Sequence, residues 1–314
     1  MRIVAGHITA NSLRGHVSFL ASDALEGRDT PSRGLDIAGE YIASQFRRLG
    51  LEPGNGDSYF QTVTLPDSPQ SRNVAGILRG SDPQLKEAYV MLSSHYDHVG
   101  LAQTGDDRIF NGANDDASGT ASVLEVANAL AALHPRPKRS VLFILFCGEE
   151  KGLLGSRYYT QHPLVPLDKT VADLNLEQLG RTDAPEGPHI KSANVTGFDF
   201  SDITPILVDA GKRAGIVVSK EPAASDKYFN LSDNEPIAKT GIPAHTLSVT
   251  YEFPDYHAVG DEWQKLDYDN MAKVDQAVGI AMLRMAQALT VPHWSTSYPA
   301  AKPYLDAAKK LHEQ

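Results

Sequence analysis

The chain has 314 residues, 41% of them apolar and 22% charged, with a formal net charge of −10. That balance is ordinary for a soluble globular protein, and the length suffices for one large α/β domain. The acidity argues against a nucleic-acid or anionic-membrane surface, which needs clustered Lys and Arg. The single cysteine, Cys147, rules out an intrachain disulfide and a thiolate zinc site.

The first residues, MRIVAGHITANSLRG, lack a charged segment followed by a long apolar core, and no apolar stretch reaches the roughly 18–20 residues of a membrane span. Thr9 or Asn11 can cap a helix carrying Leu13, Val17, Leu20 and Ala21 at 3–4 spacing. A second helix follows Ser32, with Ile37, Tyr41, Ile42, Phe46 and Leu49 on one face and Gly50 as its stop. Strands are predicted over 59–65, 73–78 and 88–94. A long Ala-rich helix over 117–133 opens at the Asn114-Asp115-Asp116 turn and closes at HPRPKR. The run 140–147 is nearly all apolar, as a strand buried on both faces should be, with Cys147 a buried, inert thiol. A helix over 152–161, a strand over 171–177, a helix over 204–214, a strand over 243–249 and a long helix over 269–289 complete the series. Segments 52–58, 65–72 and 182–199 read as loops.

Strands alternating with helices predict an α/β fold. The specific expectation is a three-layer α/β/α sandwich around a central mixed, mostly parallel sheet, forming a single domain over residues 1–314. Residues 1–50 would be N-terminal helices packed on it. Ligands of such sheets gather beyond the carboxyl ends of the strands, and candidate ligands sit in that position repeatedly.

SSHYDHVG delivers His95 at a strand end, with Asp97 on the same side of an extended chain; His98 is a rival ligand but falls on the opposite parity. NGANDDASG offers Asp115 and Asp116 at a Gly-flanked turn into a helix, where one Asp can cap and a carboxylate can also bridge two cations. Glu149 and Glu150 follow the most apolar strand; adjacent residues point opposite ways, so one can coordinate while the other acts as a base. Glu177 closes the strand 171–177, and His257 follows Tyr256 in EFPDYHAVGD, with Asp261 four residues on. Two histidines with several carboxylates are a donor set for a pair of zinc ions.

The motifs HYD (95–97), GANDDASG (112–119), GEEKGLLGS (148–156), NLEQLGR (175–181) and YH (256–257), with SDNEPIAKTGIPA (232–244), resemble the M28 peptidases. These are co-catalytic dizinc aminopeptidases with the zinc-dependent exopeptidase fold. The resemblance covers roughly 70–290, and the helical first 50 residues are similar to those of bacterial members. It implies two zinc ions per chain: His95 and Glu177 on one, His257 and Glu150 on the other, and Asp115 bridging both. It further implies a cis peptide before Asp116, Glu149 as general base, Tyr256 as oxyanion donor, and Asp97 behind His95.

Glu177 stands where many members have Asp. Only 66–87 occupies the place of a protease-associated insert. The implied reaction is removal of the first residue from peptides with a free N-terminus, a zinc-shared water attacking with help from Glu149. Neither nucleic acid nor membrane is an expected partner, and oligomeric state is not legible. Family habit implies export with the signal absent from this chain, the cytoplasm being the alternative. Rival readings are a single-zinc glutaminyl-cyclase-like enzyme and an inactive binding protein of the same fold. A serine hydrolase lacks its G-x-S-x-G elbow.

Overall fold

A computed structural model of the chain describes residues 2–65, 70–222 and 224–313. Three helices come first, α1 (Arg2–His7), α2 (Ala10–Leu20) and α3 (Arg33–Arg48). Thr9 caps α2, its hydroxyl oxygen accepting from the Ser12 amide at 3.2 Å, and Ser32 caps α3 in the same way through Leu35. The chain continues through β1 (Glu52–Pro53), β2 (Phe60–Val63), β3 (Ser71–Leu78), β4 (Tyr89–His95), α4 (Gly119–Ala131), β5 (Ser140–Phe146), α5 (Leu154–Gln161) and β6 (Thr170–Leu176). A small hairpin, β7 (Asp183–Ala184) with β8 (Gly187–Pro188), precedes β9 (Ser192–Val195), α6 (Ile203–Ala214) and β10 (Val217–Ser219). Two short helices, α7 (Ser225–Tyr228) and α8 (Asn234–Lys239), lead to β11 (Ala244–Ser248), α9 (Tyr268–Gln287) and α10 (Lys302–His312).

Among the described residues the main sheet has the order β1-β3-β5-β4-β6-β11-β9-β10, with β2 beside β3. Its centre, β5-β4-β6-β11, is parallel. The flanks turn antiparallel where β3 meets β5 and β9 meets β11. The sheet is therefore mixed, its parallel share concentrated at the centre. Along β5 the side chains alternate as the pleat requires. Val141, Phe143 and Leu145 enter a core shared with α1 to α4, α6 and α9, while Leu142, Ile144 and Phe146 enter a second core with Tyr159, Ile237, Trp294 and the face of α10. Helices thus cover both faces, giving the three layers.

Three sequence expectations change. Segment 182–199, expected as a loop, contains β7, β8 and β9; β9 offers only Ala193 and Val195 as apolar residues, and its strand character comes from pairing with β11 and β10. Segment 52–58 includes β1, held by β3. Of 65–72, residues 66–69 lie outside the described residues and 71–72 already belong to β3. No helix among the described residues is long and apolar enough to cross a membrane. Burial pushes the Cys147 thiol up to about 12, so it stays protonated and inert.

The parallel centre brings the carboxyl ends of β4, β5, β6 and β11 to one edge. Between β5 and α5 the chain must reverse within a few residues. Leu154 N donates to Gly148 O at 2.9 Å and Gly155 N to Cys147 O at 2.8 Å, so the helix start is tied to the strand exit. A Cβ on Gly155 would collide with Cys147 O and Asn73 Oδ1, which are held by their own hydrogen bonds. Gly155→Ala is therefore expected to lower stability by about 1–3 kcal/mol, as overpacking does. Urea denaturation measures it, and an unchanged midpoint would refute the close-packing argument.

Candidate metal centre

His95 is the last residue of β4 and is fully buried. Glu149 and Glu150 leave the end of β5, Glu177 the end of β6, and His257 a turn after β11. His257 takes a left-handed backbone at φ 50°, which costs a non-glycine residue, and its ring reaches Asp115 and Glu150. Two groups of donor atoms result, His95/Asp115/Glu177 and His98/Asp115/Glu150/His257, the atoms of each lying within 4.8 Å of one another.

Asp115 belongs to both groups. Its Oδ1 is 3.4 Å from His95 Nε2, and its Oδ2 is 3.0 Å from His257 Nε2. Glu150 Oε2 lies 3.2 Å from the same His257 nitrogen. Asp116 faces away from the donors. The Asp115–Asp116 peptide is cis, and the Asp116 carboxylate accepts from Ser94 Oγ at 2.6 Å, Gly119 N at 2.9 Å and Gln178 N at 3.1 Å. Asp261 in turn accepts from the amides of Asn114 and Asp115 at 3.0 and 3.1 Å, clamping the turn from a distance of 146 residues.

Asp97 sits behind His95. The His95 Nδ1–H donates to the Asp97 carbonyl at 3.3 Å, which leaves Nε2 for a metal. The Asp97 carboxylate accepts from Thr30 Oγ1 at 3.0 Å and from Glu149 N at 3.2 Å. Glu149 belongs to neither donor group. It lines a cavity of about 90 Å³ with Asp115, Glu177, Gln178, Tyr251 and Tyr256. Larger hollows of about 690 and 350 Å³ elsewhere include no member of the cluster. The Tyr256 ring stacks on His257 with centroids 4.1 Å apart and is partly exposed.

Every residue singled out from the motifs thus converges on one place. His98 corrects the parity argument: β4 ends at His95, so the alternation of an extended chain does not reach position 98. The His98 amide instead donates to Arg28 O at 3.2 Å, and the ring turns inward, with Nδ1 2.8 Å from Glu150 Oε1. Arg28 and Thr30 carried no sequence signal. The fully buried Arg28 guanidinium donates to the carbonyls of Tyr96, Asn111, Gly112 and Leu20, joining both ligand loops to the N-terminal segment. Burial draws its pKa down to about 10, opposed by Asp97, Asp261, Asp116 and Asp115.

Crowding sets the charges. Burial pushes the Glu149 carboxyl well above its usual range, and Glu177, Asp233 and Glu150 add to this. Burial likewise raises Glu177 and Asp116. Burial also acts against Asp115, but His257, His95 and His98 outweigh it and hold Asp115 far below the usual range. Hydrogen bonds from Asp115 and Glu150 lift His257 to about 10. Burial opposes charge on His95, yet Glu149, Asp115 and Asp97 carry it well above its usual value. His95 Nε2, His98 Nδ1, His98 Nε2 and Glu150 Oε1 are buried with no hydrogen-bond partner. Imidazoles and carboxylates gathered at common points, several of their buried donor atoms without a hydrogen-bond partner, fit zinc.

The profile described as "Peptidase family M28" matches residues 73–288. A probable zinc metalloprotease of Pyrenophora teres f. teres (strain 0-1) is 33% identical over 174 residues, 51% of this chain and 35% of that protein. The match thus spans about a third of that relative's length. The LapA aminopeptidase of Legionella pneumophila superposes with a TM-score of 0.73 at 21% identity, over 91% of this chain and 74% of that one. A glutaminyl cyclase of Bacteroides thetaiotaomicron superposes with a TM-score of 0.69 at 18% identity, over 88% and 98%. At these identities the likeness is one of fold.

Zinc ligation requires neutral imidazole, whereas the surrounding carboxylates favour the protonated form of both His95 and His257 in chelator-stripped protein. Zinc binding at pH 7 is expected to release protons, and affinity to fall as pH falls. Calorimetric titration in two buffers of different ionisation enthalpy measures this; identical heats would contradict it.

Proposed function

This chain belongs to peptidase family M28, and from that premise we propose that it is a dizinc aminopeptidase that removes the first residue of peptides. The observation that carries the reading is Asp115, which presents one carboxylate oxygen to each donor group. His95 and Glu177 would hold one zinc with it, and Glu150 and His257 the other. Glu177, the longer acid, still shares a donor group with His95 and Asp115. Zinc bound there would supply Lewis acidity and would bring the pKa of a coordinated water toward about 7.

The remaining work falls to this chain's own groups. Glu149, close to Asp115 but outside both donor groups, takes the proton of the attacking water and returns it to the leaving amine. Its environment favours holding a proton, which suits a group that must carry one between two partners. Tyr256 donates its O–H to the oxygen on which charge develops, its ring oriented against His257. Asp97 acts through two neighbours, receiving the Glu149 amide and steadying the His95 ring. The cavity beside Glu149, about 90 Å³, is far below the roughly 300–1,000 Å³ of a drug-sized ligand pocket. It takes one side chain, which favours action at a chain end.

Glu149→Gln is expected to retain zinc and lose about 10²–10⁴-fold in turnover on aminoacyl nitroanilides. Near-normal turnover would remove Glu149 from the role of base. Zinc quantification on the active protein tests the pairing: two ions per chain are expected. One ion, together with cyclisation of N-terminal Gln, would favour the reaction named for the Bacteroides neighbour.

A further inference from the structure

We propose that His98 is a fourth protein ligand on the Glu150–His257 side, so that the two zinc positions differ in kind: one closed by four protein donors, the other left open by three. The inference rests on the zinc centre proposed above and extends it to a residue outside the motif-derived ligand set.

Geometry carries it. In a tetrahedral site with zinc–donor bonds of 2.0–2.1 Å, neighbouring donors stand about 3.3–3.4 Å apart. Around this position His257 Nε2 is 3.0 Å from Asp115 Oδ2 and 3.2 Å from Glu150 Oε2. His98 Nδ1 lies 3.8 Å from Asp115 Oδ2 and 2.8 Å from Glu150 Oε1. These separations, taken to both carboxylate oxygens of Glu150, bracket that edge length, and one donor atom from each of the four residues lies within 4.8 Å of the others. The His98 and His257 rings meet edge-on at 80°, with centroids 5.4 Å apart, as two imidazoles directed at one ion can.

Hydrogen-bond geometry counts against the simplest rival. If His98 served only to hold Glu150 in place, an N–H would point along the 2.8 Å separation. Yet His98 Nδ1 and Glu150 Oε1 both lack a hydrogen-bond partner, although His98 is fully buried. A buried imidazole without a partner on either nitrogen is costly, and a cation between the donors removes the cost at Nδ1. The backbone is built around the ring: a Cβ on Gly112 would collide with His98 Cγ, and Arg28 holds both the Gly112 carbonyl and, through its own carbonyl, the His98 amide.

Among the described residues the second group has only His95, Asp115 and Glu177. Three protein ligands leave a position for water or substrate, as in catalytic zinc sites, whereas four close the shell. The Glu150 side should therefore bind the first and tighter zinc, and the His95 side should bind the exchangeable one that faces substrate.

X-ray absorption at the zinc edge on wild-type protein loaded with one equivalent tests this without any variant. Two imidazoles per zinc are expected; one imidazole per zinc would overturn the assignment while leaving a zinc enzyme intact. Failure to bind zinc at all would overturn both this inference and the proposed function. His98→Phe keeps the ring volume without its nitrogens, with folding checked by circular dichroism. Competition with a chromophoric chelator should show its tighter step weakened by more than about 100-fold, beyond the roughly 10–100-fold cost of losing a residue that only supports a ligand. His95→Gln should keep one tight zinc. A His98→Phe protein that binds its first zinc as the wild type does would also overturn the proposal.

Discussion

Carboxylates that cannot all carry charge together are gathered at one edge of the sheet, and the rest of the site is organised around that conflict. Asp115, Glu149, Glu150 and Glu177 lie close together at low exposure, with Asp97 and Asp116 fully buried behind them. In a poorly solvated place, like charges this close drive one another toward the neutral form. Histidines relieve part of the repulsion, which is why Asp115 stays ionised while Glu149 is pushed toward holding a proton. Divalent cations relieve it more completely, since one ion neutralises two carboxylates and accepts lone pairs from both imidazoles and acids. The arrangement is costly for an empty protein and well suited to a metal-bound one.

Positioning those groups needs a rigid frame, and the parallel centre of the sheet supplies it. Strands β4, β5, β6 and β11 end along one edge: His95 closes β4, Glu177 directly follows β6 and Glu150 comes shortly after β5, while Asp115 and His257 are brought in by longer turns. The turns beyond are then held by buried polar groups. Asp116 ties the helix start to β4 and to the end of β6, Asp261 clamps the amides of Asn114 and Asp115, and Arg28 gathers four carbonyls from three parts of the chain. Each is a fully satisfied contact in a low-dielectric setting, where hydrogen bonds orient groups strongly. The N-terminal segment is thus part of the site's support as well as a cover for the sheet.

The two donor groups that share Asp115 are unlike: one gathers His98, Glu150 and His257 around it, the other only His95 and Glu177 among the described residues. On the proposed reading, the four-donor side would anchor the centre and fix the shared carboxylate. The three-donor side, next to Glu149, Tyr256 and the small cavity, would leave room for chemistry. Such a division would let Glu149 and Glu150 be neighbours in sequence without competing for the same ion.

Much of this was legible in the residues themselves. The apolar run before Glu149, the Gly-flanked acidic turn at 114–116 and the strand-end histidine at 95 each announced both an element and a chemistry, because periodicity and turn composition are local properties. The order of the five segments along the chain identified the ligand types and the family resemblance, and with it the layered α/β architecture. Strand β9 was hidden, because its short, half-polar sequence becomes a strand only when β11 and β10 pair with it. His98 was misjudged for a related reason: parity holds only while the strand continues, and the contact that turns the chain inward comes from Arg28, seventy residues earlier. Side-chain types and their spacing were therefore determined by the sequence alone. Which acid of each pair joins a donor group, and which histidines do, was decided only by the tertiary structure, because past a strand end the direction of a side chain depends on backbone turns and on buried partners far away in the chain.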